Sequence, residues 1–86
     1  MKLEGKLFRA NLTIADIIIE QPDQPGPFVK QLETCLIKLC RELEIPTPLW
    51  LEKNTMEFAR FHQTIFFEEQ FIDKVNFNRF QIKMLK

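Results

Sequence analysis

The apolar positions of the segment FVKQLETCLIKLCREL fall at Phe28, Leu32, Cys35, Leu36, Leu39, Cys40 and Leu43. At about 100° per residue these side chains share an arc of roughly 140°, with Lys30, Glu33, Thr34, Lys38, Arg41 and Glu42 mostly outside it. The spacing predicts one amphipathic helix over residues 28–43 that needs a surface to pack on. Elsewhere the period is two. In KLEGKLFR, residues 2–9, Leu3, Gly5 and Leu7 point one way and Lys2, Glu4 and Lys6 the other, as in a half-buried strand, until Phe8 breaks the pattern. Arg9-Ala10-Asn11 is the expected hairpin turn, with Asn supplying the left-handed backbone. The β-branched run 12–20 is the returning strand. Its phase slips, with Leu12 and Ile14 on one face and Ile17 and Ile19 on the other; a β-bulge at Ala15-Asp16 or burial on both faces accounts for this.

Breakers punctuate the rest. QPDQPGP, residues 21–27, can continue neither strand nor helix and is the expected connection, with Gly26 near the N-cap and Pro27 at the first helical position. Pro46 stops the helix, and the stiff run 45–51 is expected to pack its apolar side chains back across the helix end. Asn54-Thr55-Met56-Glu57 has capping-box spacing with Asn54 as the cap, which predicts a short helix over 55–60 whose buried side is Met56, Phe58, Ala59 and Phe61. A short strand within 61–67 and a single helical turn within 68–73 follow. The last segment, 77–85, is a strand in which Phe80, Ile82 and Met84 alternate with Arg79, Gln81 and Lys83. This order predicts an α+β fold: an antiparallel three- to four-stranded sheet built from the β-hairpin and the C-terminal strands, with the long helix packed on one face. The helix is expected to rest on Leu3, Leu7, Ile17, Ile19, Phe80, Ile82 and Met84.

Length allows one small domain over 1–86, with the marginal stability of a chain that leaves much of its surface in water. An apolar content of 45% argues against intrinsic disorder. Twelve basic and twelve acidic residues give no net charge, so nothing in the total steers the chain to nucleic acid or an anionic membrane. No apolar run approaches 18 residues, no leader pattern is evident, and the expected location is the cytoplasm with reduced thiols. The sequon Asn11-Leu12-Thr13 is then idle.

Candidate chemistry is sparse, and no cofactor, metal or small-molecule site is expected. His62 is the sole histidine, and Cys35 and Cys40 lie on the apolar arc where thiols pack as small hydrophobes. Their side chains diverge by about 140° around the helix, which opposes a disulfide. Two thiols and one histidine fall short of a four-ligand zinc site. The acid pairs Glu42/Glu44 and Glu68/Glu69 are sequence neighbours that share no helix face, and the two glycines are too far apart for a phosphate loop. The run I-P-T-P-L-W-L with E-F-A-R-F resembles segments of small bacterial proteins without an assigned activity; nothing about chemistry follows from it.

Two binding readings remain. Seven of nine phenylalanines follow residue 57, more than one side of a small core needs, since Phe66 and Phe67 cannot both point inward on a strand. The leading expectation is therefore a non-enzymatic interaction or assembly domain, a homo-oligomer or the subunit of another protein, joined through Trp50, Phe61, Phe66, Phe67 and Phe71 or through an open sheet edge. The alternative is an RNA- or single-stranded-DNA-binding module. It uses the acid-free segment after Asp73, with Lys74, Arg79, Lys83 and Lys86 as cations and Phe77 as the ring on their side.

Overall fold

A computed structural model describes residues 1–85; Lys86 of the basic segment lies outside them. Strands β1 (Lys2–Arg9) and β2 (Leu12–Glu20) form the hairpin, α1 spans Phe28–Glu42 and α2 spans Glu52–Phe61. Strand β3 (Gln63–Phe67) runs into a 3-10 turn at Glu68–Gln70, and β4 (Arg79–Leu85) ends the order. The sheet is antiparallel throughout, in the order β2-β1-β4-β3. The α+β class expected from the periodicities is the class observed. Chain ends of the sequence meet at its centre, where Leu3, Gly5 and Leu7 on β1 stand opposite Met84, Ile82 and Phe80 on β4.

The inner face of the sheet carries both helices. Leu3, Leu7, Ile19, Phe80 and Ile82 are buried there with Leu32, Cys35, Leu36, Leu39 and Cys40 of α1, while Ile17 and Met84 pack at the margin half-buried. Gly5 sets the height of α1. A Cβ at that position would stand 2.8 Å from a Leu39 methyl, so the missing side chain lets the helix approach the strand. The aromatic part of the core lies over β3 and β4, where the Phe66 and Phe80 rings are 5.6 Å apart and Phe71 meets Phe77 edge-on at 5.1 Å.

Local departures from the sequence expectation have identifiable causes. The register shift of the hairpin falls where Leu7 faces Ala15 and Phe8 faces Thr13, so Ile14 is the extra residue, just before the expected Ala15-Asp16. At the turn the positive φ of 54° belongs to Ala10, not to Asn11. The Ala10 amide donates to Asn78 Oδ1 at 2.5 Å and the Asn78 amide to the Phe8 carbonyl at 2.8 Å, so the tip is held by the β4 approach instead of by its own sequence. Pro27 is the N-cap of α1 and not its first helical residue, so the cap lies one place later than the expected Gly26. Helix α2 begins at Glu52 with Leu51 as its cap. Asn54 is the third helical residue and reaches back, its Oδ1 accepting from the Leu51 amide at 2.9 Å while its own amide donates to the Leu51 carbonyl at 2.9 Å. That shift rotates the helix. Asn54 and Phe58 face inward, and Met56, Ala59 and Phe61, expected inside, are exposed.

Candidate functional site

The run 45–51 ties the two helices together and is itself tied down by amide side chains. Asn54 and Gln70 are both buried; Gln70 Nε2 donates to Asn54 Oδ1 at 3.0 Å and to the Leu49 carbonyl at 3.1 Å. Asn54 Nδ2 donates to Thr64 Oγ1 at 2.7 Å and to the Ile65 carbonyl at 3.2 Å, and the Thr64 hydroxyl donates to Glu57 Oε1 at 2.5 Å. Gln70 Oε1 accepts from the Phe67 amide at 3.0 Å, so the 3-10 turn repeats the reach-back of α2. These bonds lock α2, β3, the 3-10 turn and Leu49 into one body, and every polar side-chain atom of Asn54 and Gln70 is engaged.

The lock fixes Trp50. Its indole N–H donates to Thr55 Oγ1 at 2.7 Å, and its ring lies 6.0 Å from Phe58 and 5.6 Å from Phe66, edge-on to both. Beside it α1 and α2 stand apart, leaving an apolar groove of about 610 Å³ between the two helices and the strap. One wall is Phe28, Val29, Leu32, Leu36 and Ile37 of α1; the other is Thr55, Phe58 and Ala59 of α2; Thr47, Pro48 and Trp50 come from the strap. Glu33 is the one ionisable residue of this lining. Phe28 is 49% exposed, Val29 69% and Ile37 39%, so three large apolar side chains of one helix face water at the groove. Such a concavity suits an apolar occupant.

Comparison with protein families, with curated proteins and with solved structures returns no match. The site therefore stands on its geometry.

The residues singled out in the sequence do not form one patch. Phe66 and Phe71 are core residues and present no ring to a partner, a correction that follows from the packing of Phe66 on Phe80 and Phe71 on Phe77. Phe61, the last residue of α2, is exposed under the Arg60 guanidinium at 5.3 Å, and Phe67 is exposed on the opposite side of the sheet from the groove. Of the expected interface set, Trp50 alone lines the groove. Of the basic set, Arg79 and Lys83 share the outer face of β4, and Lys74 is in the exposed segment before it. Phe77 is buried: β4 starts at Arg79, so the alternation does not extend back to Phe77, whose ring turns into the core. The signal for the groove in the sequence is Ile37: Val29 falls within the sheet-facing arc of α1, and adding Ile37 widens that arc to roughly 200°, more than one packing surface requires.

The single histidine and the thiols have structural places. His62 ends α2 in the left-handed conformation, φ 58° and ψ 25°, where its amide donates to the Phe58 carbonyl at 2.9 Å. Burial pushes the Cys40 thiol up to about 12, against the opposing hydrogen bond with Thr47, and burial likewise raises Cys35 despite the nearby amino terminus and Lys38. Both thiols stay protonated and unreactive at neutral pH. Among the described residues no group of three His, Cys, Asp or Glu side chains is placed to hold a metal ion, and no helix is long and apolar enough to cross a membrane.

Proposed function

We propose that the chain is a non-enzymatic assembly domain that works in the cytosol as a homodimer, each copy laying its α1 along the groove of the other. The observation that carries this reading is the unfilled groove beside a helix whose own flank is an unfilled apolar ridge, Val29 and Ile37. Groove and ridge belong to the same surface, which is what a two-fold interface requires: each patch is its own complement. The accessible surface is 5917 Å², so a standard interface of roughly 800 Å² per partner would cover about a seventh of it. For so small a chain, burying that much apolar surface also adds to a core that length keeps marginal.

Sedimentation equilibrium tests the reading. The wild-type chain is expected to dimerise in the micromolar range, and V29K/I37K to sediment as a folded monomer, since two cations in the ridge would meet two more across the axis. A wild-type chain that stays monomeric at about 100 μM, too weak for an interface of this class, overturns it.

A further inference from the structure

The outer face of the sheet is a separate surface, free of both helices. Along β1 it presents Lys2, Glu4, Lys6 and Phe8; along β4 Arg79, Gln81 and Lys83; along β3 Gln63, Ile65 and Phe67. The register puts Phe8, Arg79 and Phe67 in one row across three adjacent strands, Phe8 opposite Arg79 and Arg79 opposite Phe67. The Arg79 guanidinium sits 4.7 Å from the Phe8 ring centre, and Lys53 reaches round the β3 edge to 4.4 Å from the Phe67 ring, which is 38% exposed. On these three strands Lys2, Lys6, Arg79 and Lys83 face a single acid, Glu4. The remaining acids of the face, Asp16 and Glu20, lie on β2 opposite Lys6 and Lys2, away from the aromatic row.

The geometry points to a platform for single-stranded nucleic acid on the outer face of β1, β4 and β3, with bases stacked at Phe8 and Phe67 and phosphates held by Arg79, Lys83 and Lys6. Rings alternating with cations are the chemistry that an unpaired strand needs, because every base has a face to stack and every linkage a charge to neutralise. Gln63 and Gln81, joined at 3.4 Å, stand in the same field with amide groups able to meet base edges. A duplex offers neither exposed base faces nor a shape that fits a flat sheet. The platform lies on the opposite side of the sheet from the groove, so its occupation is independent of dimerisation.

Fluorescence anisotropy with a fluorescein-labelled uridine dodecamer, at salt from about 20 to about 200 mM, tests the platform; three phosphate contacts predict a log–log slope of about −2. R79A/K83A is expected to bind at least tenfold more weakly with a shallower slope, by about 1.4 units for two lost contacts. F67L is expected to weaken binding several-fold with the slope unchanged. Absence of binding at the lowest salt, equal binding of a duplex of the same length, or an F67L affinity equal to wild type overturns the proposal, the last by reducing it to charge alone. Circular dichroism of each variant confirms that surface positions were changed without loss of fold.

Discussion

Asn54 lies at the junction of four chain segments and is fully buried, with its carbonyl oxygen serving the Leu51 amide and Gln70 and its amide serving Thr64 and the Ile65 carbonyl. Truncation removes all of these at once and leaves the Leu51 amide without a side-chain partner. N54A is expected to lower stability by about 2–4 kcal/mol, a large part of what a domain of this size holds; urea titration measures it, and a loss under about 0.5 kcal/mol would mean that water replaces the side chain. His62 offers the opposite sign. A non-glycine residue at φ 58° carries a steric cost that glycine does not, and among the described residues the imidazole has no hydrogen-bond partner that would repay it. H62G is expected to raise the urea midpoint by the equivalent of about 0.5–1 kcal/mol, and a fall would reveal a contact of the ring that stabilises the fold. Cys40 links stability to pH. Its folded value, about 12, lies above the ordinary 9.0, so the folded state holds the thiol proton more tightly than the unfolded chain does. Stability is full below about pH 9 and declines as pH rises from there towards 12. Chemical denaturation at pH 8 and pH 10.5 reads this, and C40A should flatten the slope.

The contact between α1 and β1 depends on what Gly5 lacks. With Leu39 methyls at 2.8 and 3.0 Å from the place of a Cβ, and Leu39 itself fully buried, an added methyl must displace the Leu39 side chain or the helix that carries it. G5A is expected to cost about 1–3 kcal/mol by overpacking. In G5A/L39A part of that loss should disappear, and a double-mutant cycle gives the coupling; strict additivity would mean that the helix is not resting on this point. The alternation of Leu3, Gly5 and Leu7 carried this much into the sequence, because a glycine on an inward register position of a strand marks a close approach. Long periodic segments were equally legible: α1, both hairpin strands and β4 follow from spacing alone. The short strand β3, the turn after it and the body of α2 also fall where the sequence puts them, and what it misplaces are caps and turn residues. Asn54 has the composition of a cap and acts from inside the helix, because burial beside Thr64 and Gln70 outweighs the local preference. Ala10 takes the conformation that local chemistry assigns to Asn11, because Asn78, distant in sequence, holds its amide. Phenylalanine count pointed to excess, yet position decided the matter: Phe66, Phe71, Phe77 and Phe80 fill the core, and the apolar surface that remains at the groove is mainly aliphatic, from Val29 and Ile37.

Assembly and stability are coupled if α1 completes its packing only against a second copy. The groove then holds water in the monomer, and the free energy of covering it appears in every measurement of unfolding made above the dissociation constant. For a dimer that unfolds to two chains, a tenfold rise in concentration adds about 1.4 kcal/mol per dimer, which at the usual unfolding entropy per residue moves Tm by about 4 °C for a molecule of two such chains. Wild-type Tm is therefore expected to climb by up to about 4 °C per decade of concentration, most steeply once the dimer predominates. The Tm of V29K/I37K should stay constant across the same range. Both substitutions lie on the exposed flank of α1, so a monomer with unchanged secondary structure and a concentration-independent Tm isolates the interface from the fold. Equal, flat melting curves for the two proteins would place Val29 and Ile37 outside any self-assembly. The converse, a wild-type slope retained by the variant, would move the dimer interface to another surface, of which the unpaired edge of β2 is the longest stretch of free backbone in the sheet.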